Sequence, residues 1–380
     1  MSGKFEFKSI SAKEFDKFSN SHPLSTFFQT SAMSEVSKTN GWDSEYLGVF
    51  KDSKLIAATR LTSRKNHGKV YYYAIRGPLL DYSDTKLLEF FINELKNYCK
   101  KNGGYELKID PIVQYEEHDQ NGDIVPGKNN SKIIEKLKAL GFKHGGFTVG
   151  VPKRSQVRWA SVLDFTDVLS SKELSLATKT REGLEQAKEK LLASFKQNHR
   201  NLIRRTIKTG IVVEELEKKD LQTYLDIVHS TGERRGFAVQ DKKYFESFFD
   251  NFVVNEKAKF LVAYLVEGKK KTPISTALFV MNRDEILYFT SGGYEEYMKY
   301  YGQYAVQWSI MCWGLAHGYK KLNFYGISGI FDPHDPSYGV FQFKKGFGAK
   351  VEEYIGDFYM PLSFYYYIDK AIAKLKGIKK

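Results

Sequence analysis

The sequence predicts an α/β (α+β) chain of two related modules in tandem, each a mixed sheet flanked by helices, and three observations carry that expectation. Its 380 residues exceed what one hydrophobic core ordinarily serves. A hairpin, a strand, a helix and a further strand follow one another twice, at a spacing of roughly two hundred residues, as an internal repeat would. Short stretches also correspond: ELKIDP at 106–111 falls opposite KLNFYG at 321–326, and KALGF at 138–142 opposite FKKGF at 343–347.

In the first half, Ser11 and Glu14 form a capping box that opens a short helix through Phe18, and a second helix is expected over 30–38. The stretch EYLGVFKDSKLIAATRL reads as a hairpin turning at 51–54. A strand over 70–75 ends in the turn Arg76-Gly77-Pro78. A helix over 85–101 follows, its apolar residues at 87, 88, 91, 92 and 95 marking one face. The strand over 106–109 stops at Asp110-Pro111, and a helix over 131–140 closes on Gly141, a residue suited to the left-handed C-cap. The two halves are expected to join near 151–154, giving modules over 1–152 and 153–357.

The second half begins with a charge-mixed helical segment over 171–192. Next, Lys196, Arg200, Arg204 and Lys208 recur every four residues with Arg205 beside them, and no acidic residue lies between 196 and 210. On a helix these cations make one positive stripe, with Phe195, Leu202, Ile203 and Ile207 as the buried side. Ordinary solvated helix faces mix signs, so a uniform stripe fits a phosphodiester contact, tRNA foremost, or else a purely structural face. A helix over 220–229 precedes the hairpin KFLVAYLVEGKKKTPISTALFV, a strand over 286–290, a helix over 304–317 and a strand over 322–325.

Composition narrows the function classes. The 28 Phe and 25 Tyr leave many rings for surfaces after a large core is built. No stretch approaches 18 uncharged apolar residues, and the N-terminus lacks a signal peptide's apolar run, so a cytoplasmic protein is expected. Cys99 and Cys312 sit in apolar helical patterns, which argues against disulfides or a cysteine metal site. No cofactor and no metal is expected. The net charge of +13 and pI near 9.2 favour a polyanionic partner: nucleic acid, an anionic membrane face or a phosphorylated substrate.

The densest stretch runs over 321–358, where glycines 326 and 329 and prolines 333 and 336 punctuate a loop crowded by Tyr325, Tyr338, Phe341, Phe343, Lys344 and Lys345. Its ordered segments YGISG, YGVFQFKKGFG and EYIG resemble the C-terminal signature of the Fem family of peptidoglycan-branching aminoacyltransferases. That resemblance implies two acetyltransferase-like (GNAT) modules, which the element order also resembles, with residues after about 358 returning to the first module. Family members that carry a long helical arm have it inside the second module; here that region is only a few residues long, so no coiled-coil arm is expected. The turns that would hold acetyl-CoA pyrophosphate read LLDYSDTK and KYYGQYA, short of glycine, which disfavours that donor. In the tail, Ile368, Ala371, Ile372 and Leu375 line one side and lysines the other, suiting a packed helix or a membrane-surface contact, with packing favoured.

The resemblance further implies transfer of an amino acid from its tRNA ester to the stem-peptide lysine of lipid II or UDP-MurNAc-pentapeptide. A monomer is expected, and the +13 charge and basic tail lean towards a peripheral contact with the anionic inner leaflet. Amine attack on an activated ester needs positioning, proton removal and oxyanion stabilisation. Asp110, ending its strand, matches the family's aspartate and would take the proton or orient the amine; it reads equally as an Asp-Pro turn. Lys344 would stabilise the oxyanion or bind the terminal phosphate of tRNA, with Phe343 as a ring wall. Lys38 and Arg234, with Arg235 as substitute, match phosphate-binding positions. Tyr244, Tyr304 and Tyr338 lie in matching motifs, and Arg76 reads equally as structural or substrate-facing. Two other classes stay open: an acyl-CoA N-acyltransferase, and a non-catalytic tRNA- or membrane-binding protein.

Overall fold

The structure, a computed structural model, describes residues 4–150, 152 and 155–375. Two units emerge: residues 1–117, 124–159 and 352–380 form unit 1, and residues 118–123 and 160–351 form unit 2. The boundaries fall after Trp159 and Val351 rather than after 152 and 357. Val151, Lys153 and Arg154, in the expected join, lie outside the described residues, as do tail residues 376–380.

The chain first lays down β1 (Phe5–Ser9), α1 (Ala12–Ser21), α2 (Ser31–Lys38), β2 (Asp43–Lys51), β3 (Lys54–Asn66) and β4 (Lys69–Ala74). It continues through α3 (Thr85–Lys101), β5 (Gly104–Ile109), β6 (Gln114–His118), β7 (Ile124–Asn129), α4 (Ser131–Ala139) and β8 (Lys143–His144). The capping box opens α1 as expected, Ser11 accepting from the Glu14 backbone and Glu14 from that of Ser11. The unforeseen strand β7 contains Pro126 and Gly127, poor strand formers by composition; only its pairing beside β6 makes it one.

Next come β9 (Trp159–Asp164), α5 (Ser171–Ala177), α6 (Arg181–Ser194), α7 (Gln197–Lys208), β10 (Ile211–Glu215), α8 (Leu221–Arg235) and α9 (Lys242–Phe248). The segment expected as one helix over 171–192 is two, because Thr180 caps a fresh start by accepting from the Gly183 backbone. The helix expected over 220–229 runs six residues further and stops at Gly236 in the left-handed conformation. After β11 (Ala258–Glu267), β12 (Lys270–Asn282) and β13 (Glu285–Gly293) follow α10 (Gly302–Ala316), β14 (Lys321–Ile327) and α11 (Tyr338–Lys345). The last elements are β15 (Lys350–Tyr354), β16 (Phe358–Pro361) and α12 (Tyr365–Leu375).

The unit 1 sheet has the order β1-β2-β3-β4-β5-β16-β8, antiparallel except for the parallel pair β4 and β5. In unit 2 the neighbours run β10-β11-β12-β13-β14-β9, antiparallel from β10 to β13 and parallel between β13 and β14. The repeat is therefore real: an antiparallel meander, a helix, then a parallel strand, once as β2-β3-β4-α3-β5 and once as β11-β12-β13-α10-β14. Each unit has its own core, built around Phe91, Leu95, Leu107 and Ile109 in unit 1 and Phe195, Phe279, Ile310 and Phe347 in unit 2. Cys99 is wholly buried in the first core. Among the described residues no helix exceeds the 17 residues of α3, and none is long and apolar enough to cross a membrane.

The tail joins unit 1, β16 pairing Phe358 with Ile109 and Pro361 with Glu106. Its helix α12, however, packs by the side not expected. Tyr366, Asp369 and Ala373 are buried, while Ile368, Ala371, Ile372 and Leu375, the face expected inside, are exposed.

Candidate active site

Unit 1 gathers charges at the end of β5. Glu106, Lys108 and Asp110 alternate with Leu107 and Ile109, so the period of a strand puts all three on one face, and all three are buried. Each is answered by a different element. Glu106 pairs with Lys370 of α12 at 3.3 Å, and Lys108 Nζ pairs with Asp357 at 3.1 Å and donates to Ser155 Oγ at 2.6 Å. Asp110 accepts from Tyr73 OH at 2.7 Å and from the Arg76 backbone N–H at 2.6 Å. Burial pushes the Asp110 carboxyl up to about 6, with nearby Arg76 pulling the other way. Arg76 has φ 55°, a strained position for a non-glycine, which brings its N–H to the carboxylate. Its guanidinium is buried too, donating to the Val157 carbonyl at 2.7 Å and lying 5.1 Å from the Tyr354 ring centre. Lys38 stands apart on the exposed last turn of α2, paired with Glu35 at 2.7 Å.

Unit 2 forms a pocket of about 300 Å³ lined by Lys196, Asn198, His199, Tyr304, Gly339, Gln342 and Phe343. The aromatic segment around Phe343 turns out to be a helix, and its residues 339, 342 and 343, one face by helical spacing, meet the pocket. Opposite them stands the first turn of α7. The approach is close: Lys196 N–H donates to the Gly346 carbonyl at 2.9 Å, and a Cβ at position 346 would sit 1.9 Å from the His199 ring. Only glycine fits there. His199 Nε2 faces the Phe343 carbonyl at 2.9 Å, and since a carbonyl only accepts, Nε2 carries the proton. Burial depresses the His199 pKa, so the ring is neutral and its Nδ1 is a bare acceptor, buried and without a partner. Tyr304 and Phe343 stand with ring centres 5.1 and 6.2 Å from His199 and 5.2 Å from each other.

Lys344 turns the other way. It is only 5% exposed, and its Nζ donates to the carbonyls of Gly326 at 2.5 Å and Tyr325 at 3.3 Å, both near the end of β14, where Tyr325 has φ 61°. Burial lowers its pKa to about 7. The fold buries this cation because helical spacing sends residue 344 under the end of β14 when residue 343 faces the pocket. The ammonium has three protons and two known acceptors.

The basic stripe is largely present. Lys196, Arg204, Arg205 and Lys208 are exposed, whereas Arg200 folds back onto the carbonyls of Ala193 at 3.2 Å and Phe195 at 2.5 Å, closing the end of α6. Ile207, expected inside, is exposed; the buried line is His199, Ile203 and Thr206, because the His199 ring sets the rotation of α7 against Phe347 at 4.7 Å. Arg205 lies 5.2 Å from the Tyr301 ring centre. Arg234, in the last turn of α8, donates to the Gly293 carbonyl at 3.1 Å and keeps a buried Nε without a partner, while Arg235 is exposed. Tyr338 opens α11 against Phe341. Tyr244 is buried, with its ring against Phe245 and Phe248. The sequence reading missed Lys108, Asp357 and His199. Charges at period two inside an apolar strand were a signal for Lys108; nothing local marked the other two.

The FemAB family pattern matches residues 10–188, 181–267 and 264–374. The chain belongs to the FemAB family. Relatives within reach of this FemAB chain include the aminoacyltransferase FemA of Staphylococcus aureus strains bovine RF122 / ET3-1 and MRSA252, each 29% identical, with 98% of this chain and 99% of the relative covered. Among solved structures, FemX superposes with TM-score 0.79 at 22% identity, over 97% of this chain and 99% of FemX. A tandem GNAT protein from the clavulanic acid pathway superposes with TM-score 0.53 at 9% identity, over 95% of this chain and 99% of that one. The FemAB chain thus has the tandem GNAT fold.

Proposed function

We propose that this chain is a tRNA-dependent aminoacyltransferase that builds the interpeptide branch of peptidoglycan. The amine of the stem-peptide lysine attacks the aminoacyl ester carbonyl, the bond from that carbon to the ribose oxygen breaks, an amide forms, and the ribose hydroxyl leaves with a proton. The relatives' aminoacyltransferase name supports the reaction class.

The observation that carries the donor side is the unit 2 pocket. Lys196 supplies a cation, Tyr304 and Phe343 supply ring faces, and His199 Nδ1 is a buried acceptor awaiting a donor. Rings, a cation and an edge acceptor together suit a nucleotide at the 3′ end of tRNA, and the exposed cations of α7 extend from the same helix for its phosphates. Asp110, with its carboxyl held near 6, is matched to accepting a proton from the attacking ammonium. Lys344 holds the end of β14 through two carbonyls and offers its third proton to the developing oxyanion. Lys38, exposed on unit 1, is the cation offered to the diphosphate-bearing acceptor, lipid II or UDP-MurNAc-pentapeptide. The excess of 13 positive charges supports peripheral residence at an anionic inner leaflet.

The test is incubation with alanyl-, seryl- and glycyl-tRNA and each precursor, followed by mass measurement of the precursor. One residue mass gained in at least one combination is expected; no gain in any overturns the reading.

A further inference from the structure

The helix α12 is inside out. Tyr367, Ile368, Ala371, Ile372 and Leu375 follow one another at alternating steps of one and three residues, which places them on one helical face, with Phe364 just before the helix three residues ahead of Tyr367; every one is exposed, Phe364 to 76% and Leu375 to 87%. The face turned inward carries Tyr366, Asp369 and Ala373. Lys370 is spent on the protein as well: it pairs with the buried Glu106 and lies over the rings of Tyr359 and Tyr366, at 4.8 and 5.1 Å. Lys143 lies 4.9 Å from the Tyr367 ring centre, at the edge of the apolar stripe. A helix that buries its carboxylate and shows its aliphatic residues to water has its amphipathicity reversed. A continuous apolar face of that kind marks a contact surface.

The charges say what covers it. Residues 358–380 carry five lysines against one acid, and that acid, Asp369, is on the buried side. A second copy of the chain meeting the same face would bring two lysine-rich tails together. An anionic lipid surface instead takes the apolar stripe at the acyl boundary and is attracted by the net positive charge of the tail sequence, with Phe364 and Tyr367 of the ring types that settle at that depth. We propose that α12 is an interfacial helix that seats unit 1 on an anionic lipid surface. This rests on the peripheral residence included in the reading above and identifies the face that makes the contact.

The test uses the full chain and vesicles of phosphatidylcholine with and without phosphatidylglycerol, read by co-sedimentation. Binding to the anionic vesicles alone is expected, weakened by salt, and reduced at least about tenfold in Ile368→Ser/Ile372→Ser, since two buried side chains are lost. The same variant should transfer amino acid to the soluble nucleotide-linked acceptor at the wild-type rate, which shows that it folds. Three results would overturn the proposal: no binding to anionic vesicles, equal binding by variant and wild type, or a concentration-dependent dimer that the variant abolishes in place of vesicle binding. If vesicle binding behaves as expected but neither protein transfers to any acceptor, the transferase reading fails and the lipid contact stands.

Discussion

Two residues show how one physical cause sets opposite charges on the same footing. Burial moves the Asp110 carboxyl up to about 6 and the Lys344 amine down to about 7, so each is drawn towards neutrality close to physiological pH. For Asp110 the folded value lies above the ordinary 3.8, so its protonated form favours folding fully below pH 3.8, and that contribution is lost as pH rises through 6. Asp110→Asn should therefore flatten the dependence of Tm on pH between those values. It should also remove the rise of kcat/KM centred near pH 6 and lower the rate by about 10² or more, as loss of a general base does. A pH-rate profile unchanged by the substitution would leave Asp110 a turn residue. Lys344→Met removes the amine while keeping most of the stem. If the third proton of Lys344 serves the oxyanion, kcat should fall about 10² to 10³ with KM little changed. A lowered Tm with kcat intact would instead assign Lys344 wholly to holding the end of β14.

At the scale of elements, α7 and β5 were legible to different depths. The cationic stripe of α7 follows from spacing alone, and four of its five cations are exposed. Which side of α7 is buried did not follow, because aliphatic counting favours Ile207, whereas the ring stack around His199 decides the rotation. The exposed cations lead to an expectation about RNA. Binding of tRNA should weaken linearly on a log–log salt plot, and each of Arg204→Ala and Lys208→Ala should reduce the slope by about one phosphate's worth; Arg200→Ala should leave the slope alone and lower stability instead, since its guanidinium closes α6. Filter binding across a salt series measures all three. In β5 the alternating charges were visible, but their partners Tyr73, the Arg76 backbone, Asp357 and Lys370 come from two stretches remote from β5 in sequence, 73–76 and 357–370.

Across the whole molecule, long-range pairing carries the polar network. Lys108 and Asp357 are 249 positions apart in sequence yet 3.1 Å apart in space. Lys108→Met leaves the Asp357 carboxylate without its cation and should cost about 3 kcal/mol, lowering Tm, and adding Asp357→Leu should restore most of the loss. Calorimetry on the single and double variants decides this. The sequence by itself determined the doubled α/β plan, the elements of both meanders and the cationic stripe, because each rests on local periodicity, capping and turn chemistry that act within a few residues. Only the tertiary structure decided that Lys344 faces inward, that Tyr244 is buried, that Ile207 and the apolar face of α12 meet solvent, and that His199 keeps an empty acceptor in a pocket. Burial and pairing depend on which distant segments arrive at a surface, and no local pattern encodes that arrival.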